Sequence, residues 1–357
     1  MGPQGRRVLA AVALLATAVA ARPHTPAAAG AGDANPYRVE AAVDVDPAPD
    51  VFETTLVAQQ ATVDVGNGVL ANAWTYNGTV PGPELRVKVG DTLVVHFRNE
   101  LPLPSGIHWH GIELDNASDG TALTQNAVPT GGTFLYRFVV TRPGVFWYHP
   151  HHHATNPVFK GQYGSLIVED PHDETLRAHG VLPSRERTTT LVVSDTTVCK
   201  EPGHNDTDTY PNSLPWVFAD TTPDQPGPFP STLCDTPMDE HGNPIRDANG
   251  RPVPLRAGDI PNIQRNSAGR TNEGQTVLAN GRNRGGRGGS PFAPGALAEG
   301  ASTWAVPAGQ GARLQAINAG TTRWVRLLLT DAAGRQVPLV RVGGEGGLLD
   351  HARLEGG

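Results

Sequence analysis

Val145-Phe146-Trp147-Tyr148-His149-Pro150-His151 is the stretch that decides the fold. It starts after a break at Arg142-Pro143-Gly144 and is dense in aromatic residues, as a strand is. It ends on two histidines spaced two apart, and His108-Trp109-His110 carries the same spacing. Side chains two apart on an extended chain share a face. His108 and His110 therefore point one way and Trp109 the other, and His149 and His151 repeat the arrangement. Two such strands side by side present four imidazoles in one cleft. Imidazole nitrogen is a ligand for copper, zinc and iron. One such pair is weak evidence against a plain histidine-rich loop. Two pairs, each beside tryptophan, favour a metal cleft.

The neighbouring sequence reads as β throughout. Glu84–Val89 and Thr92–Arg98 flank a Gly90-Asp91 turn, and Leu93, Val95 and Phe97 alternate with an opposite face that carries His96. His96 is expected at the surface and not on a metal. Thr133–Val140 and Gly164–Glu169 read as further strands, and Asp119-Gly120 as a turn. Glycine and proline punctuate these runs and no long amphipathic helical period occurs, which is the pattern of a sandwich or barrel.

The ends and the middle differ from this. Arg6-Arg7 followed by an apolar run from Val8 to Ala21 reads as a secretory signal within residues 1–29, too short to span a membrane comfortably. The chain is thus expected to be exported, periplasmic or extracellular, with no membrane span after cleavage. Residues 30–50 are expected to be a flexible segment, 51–170 the first domain, 171–187 a linker and 188–357 a partial second domain with an insertion at 195–275. Within that second domain Thr276–Gly281, Arg313–Asn318 and Trp324–Leu329 carry the β pattern. Arg282–Gly289 reads as a flexible glycine-arginine loop and Leu348–Gly357 as a ragged tail holding an incidental His351. The net charge of −7 argues against nucleic acid as a partner. The two cysteines, Cys199 and Cys234, are most simply a disulfide in an oxidising compartment, worth roughly 3–4 kcal/mol in the chain-entropy model. A copper thiolate is the rival, but Thr197-Val198-Cys199-Lys200 and Thr232-Leu233-Cys234-Asp235 supply no histidine beside the thiol.

From Trp74 to Glu169 the sequence resembles the first cupredoxin domain of the multicopper oxidases, the laccase and copper-resistance family. The resemblance rests on Asn77-Gly-Thr-Val-Pro-Gly-Pro83, His108-Trp-His-Gly111, Asp119-Gly120, Trp147-Tyr-His-Pro-His151 and Gly161-Gln-Tyr-Gly-Ser-Leu-Ile-Val168. It continues more weakly through Val277–Gly281 to Asp350. It implies an all-β chain of two cupredoxin-like (plastocyanin-like) Greek-key β-sandwich domains, the second incomplete. It implies copper as cofactor, with His108 on a type 2 copper, His110, His149 and His151 on a type 3 pair, and Asp119 as an acid relaying protons to reduced oxygen. A turn aspartate is the plainer reading of Asp119. His152 and His153 extend the tract beyond the family pair.

The resemblance further implies dioxygen and a small reducing substrate, such as a phenol, an aromatic amine or a metal ion. The family's remaining cluster ligands sit in HxxHxH and HCHxxxH motifs, which this sequence lacks, and no type 1 Cys/His set is visible. Half of the trinuclear ligands are thus expected here, in a truncated oxidase or in one half of a pair with a third-domain polypeptide. The alternative is a secreted copper-binding or copper-handling protein without turnover. A nitrite-reductase-like protein is disfavoured, because it too needs a type 1 site.

Overall fold

The computed structural model describes residues 39–65, 70–152, 154–196, 198–200, 216–218, 248–249, 276–287, 306, 309–321, 324–331, 333–344 and 346–355. The expected signal segment lies outside them, as do Cys234, the side chain of Cys199 and hence the expected disulfide. Among the described residues no helix is long and apolar enough to cross a membrane.

The strands are β1 (Val51–Asp64), β2 (Leu70–Tyr76), β3 (Gly82–Lys88), β4 (Thr92–Asn99), β5 (His108–His110), β6 (Thr133–Val139), β7 (Gly144–His149) and β8 (Gly164–Glu169), then β9 (Thr188–Thr196), β10 (Val198–Lys200), β11 (Trp216–Phe218), β12 (Thr276–Ala279), β13 (Arg282–Arg287), β14 (Arg313–Asn318), β15 (Leu339–Gly344) and β16 (Gly347–Glu355). Two short helices, α1 (Thr155–Phe159) and α2 (Asp173–Ala178), flank β8. The described residues are mostly β-strand with two short helices, in keeping with the all-β expectation.

Two sheets make the first sandwich. One runs β10-β11-β2-β1-β4-β6 and the other β3-β8-β7-β5. Their inner faces share one core: Leu56, Trp74, Tyr76, Leu93, Val95, Phe97, Tyr136 and Phe138 from the first sheet meet Leu85, Val87, Trp109, Phe146, Tyr148 and Leu166 from the second. Alternation accounts for this partition. Leu93, Val95 and Phe97 are buried while His96 is exposed and bonded to Glu53 at 2.6 Å. This is a two-sheet β-sandwich, its sheets held together by apolar side chains of alternate residues.

The second β unit repeats the first in miniature. Its sheet runs β13-β12-β9-β14. β1 pairs antiparallel with β2 and parallel with β4; β9 pairs antiparallel with β12 and parallel with β14. Each unit turns on an Asn-Gly step at positive φ, Asn77-Gly78 (54° and 81°) and Asn280-Gly281 (49° and 77°). These residue types tolerate the left-handed region best. The two asparagines make the same bonds. Asn77 Oδ1 accepts from Val57 N at 2.7 Å and its Nδ2 donates to Thr55 O at 2.9 Å; Asn280 Oδ1 accepts from Val192 N at 2.7 Å and its Nδ2 donates to Thr190 O at 2.9 Å.

Four sequence expectations need correction here. Arg282–Arg287 is strand β13, not a flexible loop, because the Asn280-Gly281 turn folds it back on β12. The run Trp324–Leu329 forms no strand; Trp324 is 96% exposed, and among the described residues the run has no strand to pair with and so gains no ladder. The tail from Leu348 is not ragged but lies in β16, antiparallel to β15, with His351 exposed. Finally, two pieces of the expected insertion, β10 and β11, join the edge of the first sheet through β2.

The units meet along the outer face of β7 and β8. Val158, Tyr163, Val192, Ile317 and Ala319 form a buried cluster there, with Val145 and Trp147 packed against it. Tyr163 Oη and Ser194 Oγ lie 2.5 Å apart, and Arg86 donates to Gln315 at 3.1 Å. Replacing Asn77 or Asn280 by Ala removes two side-chain bonds and leaves an alanine in the left-handed region. Each substitution is expected to cost about 1–3 kcal/mol and to speed amide hydrogen exchange at Val57 or Val192 respectively. Unchanged exchange at both amides would contradict the shared turn device.

Candidate metal centre

The register of β5 on β7 places the histidines. His108 lies opposite His149, Trp109 opposite Tyr148 and His110 opposite Trp147. Trp109 and Tyr148 point into the sandwich, 1% and 0% exposed. Their rings meet at 5.9 Å, and Trp109 also packs edge-on against Tyr136 at 5.5 Å. His108, His110, His149 and Trp147 are thereby turned to the outer face.

On that face the ligand atoms of His108, His110 and His149 all lie within 4.8 Å of one another. The His151 ring is 5.0 Å from that of His108 and 6.1 Å from that of His149. His151 lies past the end of β7, next to Pro150, which has no N–H to continue a ladder, and it is exposed. So the structure brings three of the expected histidines into one group and sets the fourth at its rim. His152 lies instead against Gly106, and His153 lies outside the described residues.

Two backbone carbonyls orient the rings. His108 Nδ1 is 2.8 Å from Asp119 O, and His149 Nδ1 is 2.9 Å from Pro150 O. A carbonyl oxygen only accepts, so each Nδ1 carries the proton and each Nε2 presents its lone pair. Such outer partners fix the tautomer of a ligating imidazole. His110 Nδ1 faces His149 Nε2 at 3.2 Å. That contact needs a proton on His110 Nδ1, and a cation replacing it would meet lone pairs from both rings. Burial pushes the His149 imidazole down to about 3, and the neighbouring His108, His110 and His151 act in the same direction against the bond to Pro150. His149 is therefore neutral at neutral pH, as a metal ligand must be. The donor set fits a metal that takes imidazole nitrogen, copper included.

Asp119 follows a single 3-10 turn, Asn116–Ser118, in which the Ser118 N–H donates to Asp115 Oδ1 at 3.1 Å. Its carboxylate Oδ1 lies 3.5 Å from His108 Nδ1, and Thr124 Oγ1 donates to its Oδ2 at 3.4 Å. Thr121 Oγ1 is 3.0 Å further on. Both expected roles of Asp119 are compatible with this place, since it is a turn residue with its carboxyl beside the cluster.

Sequence reasoning missed Trp147 as part of the site. Its indole stacks on His149 with centroids 4.0 Å apart and 27° between planes, and lies 5.0 Å from His110. The signal was present, because Trp147 stands two residues before His149 and so shares its face. The two carbonyl acceptors left no signal in the sequence.

With this geometry in hand, residues 57–173 match the multicopper oxidase family. Over 117 residues the chain is 43% identical to multicopper oxidase MmcO of Mycobacterium tuberculosis, covering 33% of this chain and 23% of that protein. Over 97 residues it is 47% identical to L-ascorbate oxidase of Nicotiana tabacum, covering 26% of this chain and 16% of that one. The histidine-bearing part of the first sandwich is therefore similar in sequence to multicopper oxidases. The matches span about a quarter or less of the length of these relatives. Among solved structures, a multicopper oxidase from Pseudomonas thermotolerans superposes with TM-score 0.48 at 26% identity, over 76% of this chain and 47% of that one.

Gly120 lets the Asp119 carbonyl reach His108. Its φ is +74°, and a Cβ there would lie 1.7 Å from Ile107 O. Gly120→Ala is expected to lower the unfolding free energy by about 2 kcal/mol or more in denaturant titrations. A variant as stable as the parent would contradict this packing.

Proposed function

We propose that this chain is the copper-binding front part of an exported multicopper oxidase, which couples one-electron oxidation of a phenol, aromatic amine or metal ion to reduction of dioxygen to water. The observation that carries the reading is the group of three imidazoles within 4.8 Å, set by strand register inside a stretch similar in sequence to multicopper oxidases. In this reading His108 serves a type 2 copper, and His110, His149 and His151 serve a type 3 pair. Copper bound there supplies the redox chemistry that reduces dioxygen.

The chain's own residues have separable tasks. His108 and His149 present Nε2 because the Asp119 and Pro150 carbonyls hold their Nδ1 protons. His110 and His149, facing each other at 3.2 Å, would share one ion. Asp119 holds a carboxyl beside the cluster, in contact with the Thr124 hydroxyl and through it with Thr121. Reduction of dioxygen to water consumes protons, and a carboxyl with hydroxyl neighbours is suited to pass them inward. The cluster's remaining ligands and the electron-entry copper would come from a third-domain segment or polypeptide. The rim position of His151 and the exposed edge at His110 leave a side on which such ligands can approach.

Copper content after dialysis tests the site. His108→Ala and His149→Ala are expected to weaken copper binding about tenfold or more, while His96→Ala leaves it unchanged. Equal copper in all three variants would overturn the assignment. Oxidation of a phenolic dye by the copper-loaded chain, alone and with a third-domain polypeptide, separates the oxidase from a copper carrier. Turnover in either mixture supports the oxidase, and full copper loading without turnover in both supports the carrier.

A further inference from the structure

We propose that Trp147 is a positioning residue: its indole sets the ring planes of His110 and His149 and so the direction in which their facing nitrogens point. The inference rests on the copper reading above. The ladder fixes where the two histidine backbones lie, but it does not fix the rings. The second side-chain torsion of histidine is broad and roughly two-fold, so a ring on a well-placed strand can still turn its nitrogens away. Here one flat side chain lies against both imidazoles. Trp147 is the cross-strand partner of His110. Its indole is near-parallel to the His149 ring, at 4.0 Å and 27°, and inclined by 32° to the His110 ring at 5.0 Å. A ring turned about its own axis out of those planes would strike the indole. The 3.2 Å approach of His110 Nδ1 to His149 Nε2 exists only while both rings keep these planes.

The indole is itself held. Trp147 packs against the seam cluster that contains Val192 of β9 and Ile317 of β14. The second β unit thus backs the imidazoles through one side chain, without a ligand of its own among the described residues. Filling the seam is a separate task that any apolar side chain of similar bulk can perform, whereas setting ring planes needs a flat face.

That difference gives the test, on the full chain. Trp147→Phe keeps a flat ring. Trp147→Leu and Trp147→Met keep apolar bulk without one, and the unbranched methionine adapts to irregular gaps, so it serves where leucine does not fold. Two readings are taken on variants with parental far-UV circular dichroism. The first is the affinity for copper(II) ions alone; the second is the imidazole nitrogen NMR spectrum of the metal-free protein, which reports the His149 tautomer. Trp147→Phe is expected to stay within about threefold of the parent in affinity and to keep the single Nδ1–H form of His149. The aliphatic variants are expected to lose about tenfold in affinity and to show mixed tautomers. Aliphatic variants that match the parent in both readings would overturn the proposal, and so would phenylalanine and aliphatic variants impaired alike. A parent chain that binds no copper would sink the copper reading, while the metal-free spectra would still decide the role of Trp147.

Discussion

The pairing of Trp109 with Tyr148 across β5 and β7 is the contact on which the site depends. Both rings are buried in the sandwich core, and side chains on a strand alternate between faces. Seating these two inside therefore forces His108, His110 and His149 outside, on one surface. A slip of one residue would exchange the faces of β5. It would bury His108 and His110 among aromatic rings and expose an indole. The cost of that exchange is what keeps three imidazoles together before any ion is present. Stability and chemistry thus share a single register, with the apolar residues of the stretch specifying where the polar ones stand.

Around this core the chain adds restraints of decreasing generality. Backbone carbonyls at Asp119 and Pro150 select the tautomers of His108 and His149. Gly120 permits the first of these, since its backbone passes where no side chain fits. The second β unit then packs on the outer face of β7, beside the histidines. Its repeated arrangement, with an Asn-Gly turn bonded to the neighbouring strand as in the first unit, presents a matching sheet at the seam. The site therefore lies where two similar β units meet, and it draws its three grouped histidines from the first.

Much of this was legible in the sequence, for definite reasons. Alternation in Thr92–Arg98 identified the core face and put His96 outside. The two-residue spacing of His108/His110 and of His149 with its lead-in encoded their common face. The same rule read two residues back from His149 would have found Trp147. It does not itself reach His151, because β7 ends at His149, yet the His151 ring still lies 5.0 Å from that of His108. Trp324–Leu329 looked like a strand by composition alone, but a strand exists only with a neighbour to pair with, and pairing is not a local property. The glycine-arginine run became a strand because of the turn before it. The carbonyl acceptors and the inter-unit seam depend on the folded path of the backbone, which no local pattern records.

The central claim is that strand register brings together imidazoles able to hold copper. Crystals of the chain soaked in copper and measured at the copper absorption edge test it directly. The account predicts anomalous density within about 2 Å, an ordinary metal–imidazole distance, of His108 Nε2 or of the facing nitrogens of His110 and His149. Copper found only on outlying histidines such as His96, with no density at the β5–β7 pair, would contradict it.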